Sequence, residues 1–182
     1  TTSVTVPYGT TYSTSGATLT IGSYTSTASA KSVTGYTTSF SSWSSTSGTI
    51  TAATTITATF NAVGISYWLQ IAYNNGSSDS STTKTYGTWF TVSNPTRTGY
   101  TFAGWSIRGM DSCTHYCGSS SSSYSTSTAT SLSSIKYTWF KNLTSTAGAT
   151  VTMNATWSIN TYTVIVNNNY PYSGLDDTTT NT

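Results

Sequence analysis

The sequence predicts a mostly β protein, and three features carry that prediction. Thr, Ser, Tyr and Asn dominate while helix formers are scarce. Val, Ile and Thr alternate with period two along several stretches. Large aromatics recur two residues apart on a Thr-rich, Gly-punctuated background, most clearly in NPTRTGYTFAGW, Asn94 to Trp105. With 182 residues the chain can hold one or two small domains. Its 14% aromatic content supplies cores and argues against disorder.

Charge excludes several function classes. Only 5% of residues are charged, with six Lys and Arg, four Asp and no Glu. A net charge of +2 without a basic stripe gives no grip on nucleic acid. No apolar run approaches the ~20 residues of a membrane-spanning helix, so no membrane insertion is expected. No signal peptide is recognisable, so a mature form, or one that never had a leader, is expected.

Taken in order, Ser3 to Val6 read as a short strand ended by Pro7, and Tyr8-Gly9-Thr10 as a turn. Leu19 to Tyr24 is a second strand with Leu19 and Ile21 on one face. TGYTTSFSSW, Thr34 to Trp43, echoes the Asn94–Trp105 stretch. From Ile50 to Phe60, Ile56, Ala58 and Phe60 point inward while Thr55, Thr57 and Thr59 point outward.

A new unit begins near Ile65. Tyr67 to Tyr73 (YWLQIAY) is an apolar strand ending at Asn74-Asn75-Gly76, residues that tolerate positive φ. Tyr86-Gly87-Thr88 matches Tyr8-Gly9-Thr10. Gly99-Tyr100…Trp105 matches Gly35-Tyr36…Trp43, with two extra residues in the first copy. Val151, Met153, Ala155 and Trp157 alternate as Ile56, Ala58 and Phe60 do. Two copies of one unit are therefore expected, with Tyr36, Trp43, Phe60, Tyr100, Phe102, Trp105 and Trp157 as the repeat core. The second copy carries an insertion of about 108–135, read by composition as a surface loop.

YNNG, then YGT, then NPTRTGYTFAGW, then a terminal Ala-Thr-Trp strand resembles the Listeria–Bacteroides repeat, the B-repeat type of internalin-like surface proteins. The resemblance covers Ile65 to Ile159 well and Val4 to Asn61 more loosely. It implies small β-grasp-like units in tandem, in secreted or surface-attached proteins with adhesive or spacer roles, and hence an extracellular or cell-surface location. No ligand site carries over.

The ends do not match the repeats. Residues 1–62 read as a first unit that lacks its opening strand, 63–159 as a complete second unit, and 160–182 as a donor strand and tail. Tyr162 to Asn169 (YTVIVNNN) resembles the opening strand Tyr67 to Asn74. The expected fold is two tandem β-grasp-like units, the first completed by the tail of a neighbouring subunit through Tyr162, Val164, Ile165 and Val166. Closure on the same molecule, or a window of a longer tandem array, are the alternatives.

Cys113 and Cys117 are expected to close a small disulfide in an oxidising compartment, a metal pair or free thiols being the alternatives. His115 is then a surface loop residue. Sequons permit N-glycosylation at Asn75, Asn142 and Asn154. Trp43, Trp105, Trp139 and Trp157 fit a core better than a sugar-binding surface. Catalysis is not expected: there is no Glu, the Asp residues sit in loop-like stretches, and the single His lacks a nucleophile elbow. No cofactor or metal is called for. The sequence thus points to a structural subunit of an extracellular filament or surface fibre, whose expected partners are copies of itself, with glycans as a second candidate. The alternative is an adhesin segment or binding module recognising carbohydrate or a host protein.

Overall fold

A computed structural model of the chain describes residues 2–166. Among these there are fifteen strands and no helix, so the chain is mostly β as expected. No helix is long and apolar enough to cross a membrane.

The first half builds two small sheets. β1 (Thr11–Ser15), β2 (Thr18–Ile21), β3 (Tyr24–Thr27) and β5 (Ser47–Thr49) form one, in the order β3-β2-β1-β5. Leu19 and Ile21 are its buried residues, and the strand stops at Gly22, whose positive φ turns the chain back. β4 (Tyr36–Trp43) and β6 (Ala58–Gly64) form an antiparallel pair. β7 (Ser66–Ala72) follows β6 after Ile65 alone.

The second half holds the main core. Its larger sheet has the order β13-β10-β15-β7-β8, made of β7, β8 (Ser80–Thr85), β10 (Tyr100–Arg108), β13 (Leu132–Ile135) and β15 (Thr150–Ile159). β7 lies parallel to β15 and antiparallel to β8. Its alternation is complete: Tyr67, Leu69 and Ile71 are buried while Trp68 and Gln70 face out. The other sheet has the order β12-β11-β14-β9, from β9 (Phe90–Thr91), β11 (His115–Gly118), β12 (Tyr124–Ser127) and β14 (Trp139–Lys141). Between the two lie Trp105, Ile107, Cys117, Phe140, Leu143, Val151 and Met153.

Three expectations need correction. Ser3 to Val6 form no strand, and Val4 is exposed. Residues 50–57 form none either, the strand starting only at Ala58, and Phe60 is 38% exposed rather than core. Ile50 and Thr57 still bond backbone to backbone at the ends of their stretch, to Gly9 and Thr10 and to Ser44. Among the described residues, however, 2–6 and 51–56 have no ladder partner, and extended backbone without one gains nothing over solvent. The insertion of 108–135 is no surface loop: it supplies three strands and buries Met110, His115 and Cys117.

Candidate interaction site

The local geometry of the TGY stretch repeats between the halves. In Val33–Tyr36 the Tyr36 amide donates to the Val33 carbonyl (3.0 Å), and in Arg97–Tyr100 the Tyr100 amide donates to Arg97 (3.1 Å). Gly35 and Gly99 have φ of 76° and 77°, a conformation that Gly adopts without penalty. Downstream, β4–β6 slips register between Phe40 and Ser42, and β10–β15 between Phe102 and Gly104. Trp43 then faces Ala58, and Trp105 faces Ala155. The two extra residues before Trp43 are absorbed by lengthening both strands of the first hairpin. Tyr36 pairs with Gly64 and Phe40 with Phe60, whereas Tyr100 pairs with Ile159 and Phe102 with Trp157.

The hairpins also leave the pair in the same way. The Ile65 amide donates to the Gly35 carbonyl, and the Asn160 amide to the Gly99 carbonyl, both at 2.9 Å. Ile65 therefore corresponds to Asn160, and the residues that follow fall into phase: Tyr67 with Tyr162, Leu69 with Val164, Ile71 with Val166. After Ile65 the chain becomes β7. After Asn160 the described residues up to Val166 form no strand and are exposed, with Tyr162 at 80%, Val164 at 73%, Ile165 at 81% and Val166 at 53%. They do not dock on the first half of their own chain. The expected continuation through Asn169 lies outside the described residues.

Between the halves, the Tyr86-Gly87 turn of the second packs on the Gly35-Tyr36 turn of the first. The Tyr86 and Tyr36 rings meet edge-on at 5.4 Å. The Tyr86 amide donates to the Ile65 carbonyl (2.9 Å). A Cβ on Gly35 would run into the Tyr86 ring, and one on Gly87 into the Tyr36 hydroxyl. Glycine is thus required at both places for close approach as well as for positive φ. Tyr86 is 8% exposed and its hydroxyl is pushed up to about 12 by burial.

The cysteine loop holds a different arrangement from the one expected. Cys113 and Cys117 are unpaired thiols. Cys117 points into the core from β11, while Cys113 lies against the Asn142 carbonyl (3.3 Å), so the two sulfurs serve different surroundings. Burial pushes the Cys113 thiol up to about 12 and the Cys117 thiol up to about 11, which disfavours the reactive thiolate. His115 is fully buried. Its Nδ1 lies 2.7 Å from the Asn142 carbonyl, and its Nε2 lies 2.8 and 2.9 Å from those of Asp111 and Ala129. The Asp111 carboxylate accepts from the Ser145 amide (2.7 Å) and the Ser145 and Thr144 hydroxyls, fastening the loop to the stretch after β14. Such polar fastening, not a covalent staple, ties the insertion down. Among the described residues no group of His, Cys and Asp is placed to hold a metal ion.

The remaining candidates scatter. Asn142 is buried, with its side-chain carbonyl accepting from the Gly87 amide (2.6 Å), so it is closed to a glycosylating enzyme in the folded chain. Asn75 donates to the Thr96 carbonyl, and Asn154 sits half-buried in β15. Of the repeat aromatics, Trp105 is fully buried, while Tyr36, Trp43, Tyr100, Phe102 and Trp157 are half-buried. Trp89-Phe90 and Trp139-Phe140 stand out in the sequence as candidates for an exposed contact between units. That Trp89 and Trp139 gather with Tyr116 and Tyr124 is visible only in the structure, because the composition of the segment that holds β11 and β12 describes a loop.

A model of the Listeria-Bacteroides repeat domain matches residues 70–133, from within β7 into β13. Residues 70–133 are thus similar to a repeat of this family, which is a surface-associated structural module. No curated protein and no solved structure matches it.

Proposed function

We propose that the chain is a structural subunit of an extracellular filament or surface fibre, joined head to tail by strand complementation. The observation that carries this reading is the matched exit from the two hairpins, which puts Tyr162, Val164 and Val166 in phase with the buried face of β7. A strand from one copy would enter the first half of the next as β7 enters the second half. By the β7–β15 and β7–β8 registers it would lie parallel to 53–56 and antiparallel to 2–7. Among the described residues both segments are without a ladder partner, as the reading requires.

The chemistry of that slot is complementary. Tyr162 would face Val6 and Val164 would face Val4, giving apolar cross-strand pairs on one face. Pro7 takes the place of Thr85, beside the Tyr86 position that donates to Ile65. Hydrogen-bonded pairs alternate along an antiparallel ladder, so the missing Pro7 N–H would fall on the outward side. Burying each large apolar side chain contributes roughly 1.5–3 kcal/mol, while ordering costs about 1–2 kcal/mol per residue. The strand alone is thus a modest link.

The test is removal of residues 160–182, followed by negative-stain imaging and size-exclusion chromatography with and without a peptide of residues 160–169. Fibres lost on truncation, with the peptide binding the truncated chain, support the reading. Fibres that survive truncation contradict it. A second reading, an adhesin segment that binds carbohydrate, is favoured by one observation. Trp89, Tyr116, Tyr124 and Trp139 cluster on one sheet face, with Lys141 over two of the rings. Loss of glycan binding on Trp89→Ala would support it.

A further inference from the structure

We infer that copies of this chain hold one another through a second contact besides the strand, a tyrosine–glycine clasp between Tyr8-Gly9 of one copy and Gly99-Tyr100 of another. The inference rests on the head-to-tail reading above and names the surface that completes it. Its template is the contact already present inside the chain, where Tyr86-Gly87 closes on Gly35-Tyr36.

Each half of the clasp exists a second time without its partner. Gly9 has a φ of 86° and Gly87 one of 85°. The Thr10 amide donates to the Pro7 carbonyl as the Thr88 amide donates to Thr85, both at 3.2 Å. The Tyr8 turn is thus built like the Tyr86 turn, yet Tyr8 is 83% exposed where Tyr86 is 8% exposed. On the receiving side, Gly99 repeats the φ of Gly35. A Cβ on Gly35 or Gly87 would strike a tyrosine of the other half, whereas one on Gly9 or Gly99 would meet open space. The internal contact shows the role for which the two empty surfaces are shaped.

Under the head-to-tail reading the occupant is a second copy. If Thr161 onward enters a neighbour as Ser66 onward enters the second half, Asn160 stands where Ile65 stands. Its carbonyl then accepts the Tyr8 amide of the neighbour, as the Ile65 carbonyl accepts that of Tyr86. The Tyr8 ring reaches Tyr100 edge-on. Arg97, whose guanidinium already lies 3.8 Å over the Tyr100 ring, covers the other side and adds a cation–π contact to the receiving surface. The clasp buries a large aromatic that would otherwise stand in water, and it supplies the edge-to-face geometry that aromatic pairs prefer.

The experiment compares the 182-residue chain with Tyr8→Ala, Tyr100→Ala, the double variant and Val164→Asp, reading assembly against concentration by sedimentation and the fold by circular dichroism. Tyr8 is exposed, so its replacement leaves the monomer's thermal midpoint where it was. The expected result is that Tyr8→Ala raises the concentration for half-assembly about tenfold or more. The double variant should then be no worse than the weaker single one. If Tyr8→Ala assembles like the parent while Val164→Asp does not, the clasp is wrong and the strand reading stands. If the parent stays monomeric at every concentration, both fall.

Discussion

The Asp111 carboxylate gathers the amides of Cys113 and Ser145 and the hydroxyls of Thr144, Ser145 and Thr146. Burial works against its charge, but the hydrogen bonds from Cys113 and Ser145 outweigh burial and hold it well below the usual carboxylate range. A group depressed on folding contributes stability that is present above its unfolded value, about 3.9, and is lost as pH falls towards the folded one. Acid titration of the thermal midpoint should therefore show a fall below about pH 4 that Asp111→Asn removes. That variant should start about 1–3 kcal/mol less stable, because hydrogen bonds to a charged acceptor are lost. His115→Ala should cost more than a surface substitution, since it leaves the carbonyls of Asp111 and Ala129 without their ring partner, while that of Asn142 keeps the Cys113 thiol. Each buried acceptor stranded in this way costs about 1–3 kcal/mol, readable in chemical denaturation. The cysteines make a third prediction at this scale. With both thiols raised by burial, a thiol reagent at pH 8 should label the folded chain slowly and take up two equivalents on unfolding. Reductant should leave the midpoint unchanged. Two equivalents taken up only after reduction, and none on unfolding alone, would mean a disulfide after all.

Among the elements, the strands at Tyr36–Trp43 and 100–105 are legible because their signal is local, whereas their pairing partners and the register shifts within them are not. Gly35 and Gly99 mark positive φ, and aromatics spaced by two mark one face of a strand. β7 was legible for the same reason: Tyr67, Leu69 and Ile71 alternate with exposed partners. The cysteine insertion was not. Its Ser/Thr composition describes a loop, and what makes it strand is non-local, the pairing of β11 with β14 and the burial of His115 and Cys117 against Phe140 and its neighbours. Ser3 to Val6 erred in the opposite direction. Their alternation is that of a strand, but a strand requires a ladder, and β8 has β7 beside it while residues 2–7 have no such neighbour among the described residues. The candidate contact surface was half legible: the tail's likeness to β7 is in the sequence, whereas the burial of Tyr86 on Tyr36, and hence the meaning of an exposed Tyr8, is visible only in three dimensions. At this scale, adding a peptide of residues 160–169 to the chain truncated at 159 should order residues 2–7 and 53–56. Slowed amide exchange there, with β7 and β15 unchanged, would be the readout.

Across the whole molecule, the arrangement is one of offset halves. The first hairpin passes its chain through Ile65 directly into β7, the opening strand of the second half, so that half is completed by residues that follow the first hairpin. Within the chain this joins the halves through β7 and through Tyr86 on Tyr36. Repeated between chains it would give a fibre whose every joint copies the internal one, with hydroxyls and amides rather than charges facing water. Low charge suits such an assembly, because copies brought together repel little. The most direct measurement is an image of the assembled 182-residue chain at a resolution that separates strands. The account predicts Tyr162–Val166 of one copy lying parallel to residues 53–56 of the next, with Val164 facing Val4. Filaments in which those residues remain in solvent, or pair with their own chain, would contradict it.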